Sequence, residues 1–260
     1  MSGAFYQQMD HGRFGSTALT AGPWSAESQH AGPPSALLVR AMERFEADPT
    51  LRLARVSVDV LGPVPIAPLD IEVRTVRPGR SVELLEATAS VAGRPALVAR
   101  GWRMRRTPDD FPTVGTHDGP PVPTTRERGP MMSFAHADGY LSVVDFSFDS
   151  GGGDELGPAQ AWGRARVDLV EGERMTGWQH TVVVADSASG VSLASDPLSH
   201  PAVNCDLVVS LHRDPEPGWV HLDSETVGGP GQGVLTDTLI SDDRGRLGRC
   251  VQNLYGRRAG

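Results

Sequence analysis

Four stretches in the first half of the chain alternate apolar and polar residues with a period of two: Leu53 to Leu61, Leu69 to Val76, Ser81 to Val91 and Ala96 to Met104. That alternation predicts strands with one face buried. Gly-Pro, Pro-Gly and Ala-Gly pairs separate them, residue types suited to tight turns. Ahead of them, Pro33 to Phe45 (PPSALLVRAMERF) predicts a helix. Its prolines fall in the first turn, where a missing N–H costs nothing, and Ala36, Leu37, Val39, Met42 and Phe45 make an apolar face. The second half repeats the order. Thr181 to Leu193 (TVVVADSASGVSL) predicts a helix, and Cys205 to Leu211, Trp219 to Val227, Gly233 to Ser241 and Leu247 to Tyr255 predict strands. A further strand is expected over Gln160 to Leu169, after a glycine-rich turn at Gly151 to Gly153.

The halves also agree in register. Gly62-Pro63 and Asp214-Pro215 close the first strand of each, Gly93-Arg94 and Gly245-Arg246 open the last, and one common offset relates both pairs. Between the halves, Thr107 to Met131 is rich in Pro, Gly, Thr and charge, a linker composition. The expected organisation is therefore a module over 1–110, a linker over 111–130 and a second module over 131–260. One helix followed by an antiparallel meander is an α+β pattern in which a sheet wraps a helix. A single such sheet would leave its edges open, so the two should join into one antiparallel sheet.

Composition narrows the chemistry. The 260 residues are 39% hydrophobic and 22% charged, with a net charge of −8, which argues against a general nucleic-acid binder. Lysine is absent, which excludes Schiff-base chemistry and a Walker-type phosphate loop. Cys205 and Cys250 lie in apolar strand segments, as reduced structural cysteines do. No signal peptide or membrane-length apolar run is visible, so a cytoplasmic protein is expected. No Gly-x-Ser-x-Gly elbow and no His-x-x-His or Cys-x-x-Cys pair occurs, and no cofactor or metal is implied.

The segments VVVADSASG (Val182 to Gly190), HPAVNCDLVVSLHRDP (His200 to Pro215), RCVQNLYGRR (Arg249 to Arg258) and QHAGPPSALLVRA (Gln29 to Ala41) together resemble the acyl-CoA thioesterase II (TesB-like) family, actinobacterial type. The resemblance implies a tandem (double) hotdog fold, an acyl-CoA substrate and thioester hydrolysis. It also implies a homodimer or higher homo-oligomer, because hotdog sheets commonly stack. It places the family's helix acid on Asp186 and its strand glutamine on Gln252. Asp206 and His212-Arg213 match the run that follows the family's hydroxyl position. That position holds Asn204 in place of Thr or Ser, which leaves open a second reading, a non-catalytic acyl-CoA-binding protein with a degenerate site.

Thioester hydrolysis needs an activated water, a donor for the developing oxyanion and a dry cleft. Asp186, set among valines, is expected to have a raised pKa and to act as the base, while Asn204 and Gln252 hold the water. Read without the resemblance, Asp186 could instead cap a helix that starts there. Gly32, before Pro33 and Pro34, is the candidate oxyanion donor at a positive helix end, although a turn glycine explains it equally well. His30 could face the cleft, although a lone histidine near a helix start is more often structural or exposed. Asp206 is read as structural.

Overall fold

The computed structural model describes residues 3–115, 118–121, 132, 133 and 135–259; the middle of the expected linker lies outside the described residues. The chain opens with β1 (Ala4–Asp10), β2 (Arg13–Ser16), β3 (Ala21–Gly22) and β4 (Ser25–Gln29), then α1 (Gly32–Arg44), and continues with β5 (Leu51–Val60), β6 (Leu69–Arg77), β7 (Val82–Val91) and β8 (Arg94–Arg105). The second half contains α2 (Tyr140–Val143), β9 (Val144–Ser150), β10 (Ala159–Ala165), β11 (Asp168–Val170), α3 (Gly177–Ala185) and α4 (Ala188–Val191). It ends with β12 (Ala202–Asn204), β13 (Asp206–Leu211), β14 (Val220–Val227), β15 (Val234–Asp242) and β16 (Gly245–Gly256).

Among the described residues, fourteen strands form one sheet in the order β11-β1-β2-β6-β7-β8-β5-β13-β16-β15-β14-β10-β9, with β12 added beside β16. The seam between halves is the antiparallel pair β5–β13, running from Asp206 opposite Asp59 to Ser210 opposite Arg55. This is the tandem hotdog, an α+β fold. The alternation behind the strand expectations is seen directly: along β7, Glu83, Leu85, Ala87 and Ala89 are buried and the residues between them are not. α1 lies against β5 to β8, and α3 against β10 and β14.

Two expectations are corrected, and one hairpin was not anticipated. The helix predicted over Thr181 to Leu193 begins at Gly177, where the Thr176 hydroxyl accepts from the Gln179 N–H at 3.2 Å, and it breaks after Ala185. The strand predicted over Gln160 to Leu169 is two strands. β10 pairs with β9 and β14 at one end of the sheet, while β11 pairs in parallel with β1 at the other, Ala4 opposite Asp168 and Tyr6 opposite Val170. Finally, β1 and β2 form a hairpin that strict alternation misses, since β1 buries three consecutive residues, Ala4, Phe5 and Tyr6, and exposes the rest.

The halves interlock at their helices too. Glu43 of α1 accepts from the Thr176 hydroxyl at 2.9 Å and from Gln179 Nε2 at 2.8 Å, at the start of α3. Arg40, nearly buried, makes two 2.7 Å bonds to Glu173. Removing one member of such a pair strands the other in a poorly solvated place.

His180 on α3 gives the fold an acid sensitivity. Burial first, then the charges of Arg164 and Arg174, lower its pKa from 6.5 to about 4. As pH falls through that window the unfolded chain binds the proton before the folded one does. Stability from this group is therefore complete above 6.5 and lost on approach to about 4. Urea midpoints should decline across that interval, and His180→Asn should flatten the decline; an equal slope in wild type and variant would remove His180 as its source.

Candidate active site

The site is built on the helix break. In an unbroken helix the Ser189 N–H would bond the Ala185 carbonyl and the Asp186 carbonyl would accept from residue 190. Instead the Ser187 N–H turns back to the Val184 carbonyl at 3.0 Å, and Ser189 N–H donates to Gln252 Oε1 at 3.1 Å. The Asp186 carbonyl receives Gln252 Nε2 at 3.2 Å and Asn204 Nδ2 at 3.3 Å. The fully buried amide of Gln252, on β16, thus replaces two helical partners at once. Asp186 follows the last residue of α3 and does not cap α4, so the helix-start reading of this residue is not what the chain adopts.

The Asp186 side chain is only 4% exposed. Asn204 Nδ2 donates to its Oδ1 at 3.0 Å, and Gln252 Nε2 stands 3.5 Å from the same oxygen. An ionised carboxylate can only accept, so it is the amino side of Asn204 that faces it. The carbonyl side of Asn204 accepts from the Ser189 hydroxyl at 3.0 Å. The three residues singled out in the sequence, Asp186, Asn204 and Gln252, are therefore in direct contact. β12 sets Asn204 there by pairing it opposite Leu254, two residues beyond Gln252.

His30, for which a place at the cleft was the lesser of two readings, stands at the same carboxylate. Its Nδ1 is 3.0 Å from Asp186 Oδ2, and its side chain is 10% exposed. The ring lies flat on Tyr140, with centroids 3.7 Å apart and planes at 3°. Burial lowers the imidazole pKa more than the Asp186 charge raises it. No local signal marked His30, because its partners come from the other half of the chain.

The N–H of Gly32, the expected oxyanion donor, donates to His30 Nδ1 at 3.1 Å. Gly32 is also where α1 meets α3, since a Cβ there would overlap the Val183 carbonyl oxygen. Asp206 lies outside the cluster, accepting from the Asn253 N–H at 2.7 Å and from Asn253 Nδ2 at 3.0 Å, and so ties β13 to β16. His212 Nε2 is 2.9 Å from the Arg246 carbonyl, and the Arg213 guanidinium binds Asp242. Both cysteines are free; Cys250 is buried and burial pushes its thiol well above the ordinary range.

Asp186, His30 and Asn204 open onto a cavity of about 490 Å³ whose walls are largely apolar, among them Val64, Leu141, Phe146, Phe148, Leu193 and Leu254. Val64 and His30 belong to the first half and the others to the second, so both halves contribute to the pocket. Its size lies in the ordinary range for a small-molecule site.

Residues 20–104 match the model of an acyl-CoA thioesterase N-terminal domain, and residues 108–255 that of an acyl-CoA thioesterase C-terminal domain. The chain belongs to the acyl-CoA thioesterase family. It is an acyl-CoA thioester hydrolase of the TesB-like kind. Solved structures agree in fold. A hotdog-fold protein of Alicyclobacillus acidocaldarius superposes with a TM-score of 0.74 at 15% identity, over 99% of this chain and 97% of the other. The acyl-CoA thioesterase II TesB2 of Mycobacterium marinum gives 0.66 at 16% identity, over 98% and 96%. The TesB protein of Mycobacterium avium subsp. paratuberculosis gives 0.65 at 17% identity, over 97% and 96%. No curated protein sequence matches the chain. Among the described residues of this thioesterase, no helix is long and apolar enough to cross a membrane.

Proposed function

We propose that this thioesterase cleaves acyl-CoA with a water activated by Asp186 and held by Asn204 and Gln252. The observation that carries the reading is a buried carboxylate at the wall of an apolar cavity, with two side-chain amides turned onto one of its oxygens. The acyl chain occupies the apolar cavity with its thioester carbonyl carbon beside Asp186. Water adds to that carbon and gives a proton to Asp186. The tetrahedral oxyanion collapses, the C–S bond breaks, and the departing thiolate recovers the proton, leaving free acid and CoA. The Gly32 N–H, at the positive end of α1, is the donor assigned to the oxyanion, a role that requires it to turn from His30 Nδ1. No step requires a cofactor.

Free-thiol release from a panel of straight-chain, branched and aromatic acyl-CoA thioesters tests the activity and finds the acyl group that fits. Gln252→Ala tests the site. It should lower kcat by roughly 10–100-fold and also cost about 1–3 kcal/mol, since it strands the Ser189 N–H and removes one donor to the Asp186 carbonyl. A variant with wild-type kcat would take Gln252 out of the water-holding set.

A further inference from the structure

We infer that His30 is a positioning residue of this site: its Nδ1–H binds Asp186 Oδ2, keeping the carboxylate ionised with Oδ1 turned to the amides and the water. The inference rests on the reading of Asp186 as the base and goes beyond it by adding a residue from the other half of the chain.

The charge of Asp186 decides which ring nitrogen carries the proton. His30 Nδ1 is 3.0 Å from Asp186 Oδ2 and 3.1 Å from the Gly32 nitrogen. A single ring nitrogen donates or accepts, never both. Were Nδ1 unprotonated, its lone pair would face the lone pairs of an ionised carboxylate at 3.0 Å, a repulsive contact. An ionised Asp186 therefore selects the Nδ1–H form. The other nitrogen, Nε2, then faces the Ser187 hydroxyl at 3.4 Å. That hydroxyl is 2.8 Å from the Tyr140 hydroxyl, which in turn donates to the Val183 carbonyl at 2.9 Å. In the same form the Gly32 N–H loses the ring acceptor it points at, a neutral contact that weighs less than the charged one to Asp186.

His30 is also held too firmly to be an accidental neighbour. Its own N–H bonds the Thr20 carbonyl at 2.8 Å and the preceding Gln29 N–H bonds the Val64 carbonyl at 2.7 Å. The Gln29 side chain is held by the Tyr6 hydroxyl at 2.6 Å and by the Pro65 carbonyl at 2.8 Å. With one ring face on Tyr140, the imidazole meets Asp186 edge-on. The other ionisable groups that feel the Asp186 charge are Tyr140 on α2 and Cys250 on β16, and burial holds both in the neutral form.

The test is the pH profile of kcat/KM for acyl-CoA hydrolysis in the wild type and in His30→Ala, His30→Asn and His30→Gln, with Asp186→Asn as reference. The Asn amide nitrogen can stand where Nδ1 stands; that of Gln reaches instead to the Nε2 side. Both lose the stacked ring, so any cost of packing is common to them and only the donor position differs. His30→Ala and His30→Gln should lose about 10-fold or more, and their acidic limb should move up by about one pH unit, because a buried carboxylate without its donor is harder to ionise. His30→Asn should return the limb to the wild-type position and recover most of the rate. An unmoved limb in His30→Ala overturns the inference, and so does equal impairment of the Asn and Gln variants. Full activity in Asp186→Asn would overturn the base reading itself. Loss of activity in Asp186→Asn with an unmoved limb in His30→Ala would overturn only the role of His30.

Discussion

Asp186→Asn should lower kcat by about 10²–10⁴ and leave the protein folded, because Asn keeps the size of the side chain and loses only the ability to take a proton from water. The hydrogen bonds can be conserved. The Asn carbonyl oxygen can accept from Asn204 as Oδ1 does, and its amino group can face His30 once the imidazole moves its proton to Nε2. The bonds to the Asp186 carbonyl are made by backbone and are untouched by the substitution. The stability change should stay below about 1 kcal/mol, so thermal unfolding and steady-state hydrolysis measured on one preparation separate the catalytic from the structural contribution. Wild-type turnover in this variant would sink the site assignment while leaving the fold and the family unaffected.

Gly32→Ala is expected to damage both stability and rate. One added methyl would overlap the Val183 carbonyl oxygen, and that atom belongs to the backbone of α3, so no side-chain rotation relieves the contact. The two helices must separate or slide. Such overpacking costs typically 1–3 kcal/mol, which for a chain of this length lowers Tm by roughly 2–10 °C. The same movement shifts His30, two residues before Gly32, against Asp186, three residues after Val183. A misplacement near 1 Å at a catalytic group can cost about 10²-fold, so kcat should fall by that order even in the fraction that stays folded. Calorimetry with single-temperature kinetics well below Tm checks both parts. Unchanged values would mean that α1 and α3 have room between them that the geometry does not give.

How much of this was legible in the sequence follows from where each signal resides. The strands of both meanders were readable because alternation is a local consequence of one buried face, and Leu69–Arg77 and Val82–Val91 fall within a residue of their expected limits. α1 was readable for the same reason. The start of α3 was not, because Trp178, Gln179 and His180 form no apolar stripe of their own and the Thr176 cap becomes informative only once Glu43 of α1 is beside it. The break after Ala185 was invisible, since its cause is the amide of Gln252 on a distant strand. Asp186, Asn204 and Gln252 emerged together through a family pattern, and their contact is what the folded chain adds. His30 had no such pattern to lift it. Its significance depends on Asp186 and Tyr140, both far along the chain, and a histidine judged by its neighbours in sequence is judged by the wrong neighbours.

The crossing of one strand, β11, to the far end of the sheet bears on how the molecule is held together. The first strand of the chain is covered by β11, a piece of the second half, while β5 and β13 join the halves in the middle and Arg40 and Glu43 bind the approach to α3. None of these attachments runs through the connection between residues 105 and 132. The covalent link is thus one fastening among several, and the architecture resembles a clasp more than two beads on a string. A chain of this kind is a natural candidate for fragment complementation. Its two pieces, made separately, would each carry an incomplete cavity, and only their reassembly would bring His30 back to Asp186.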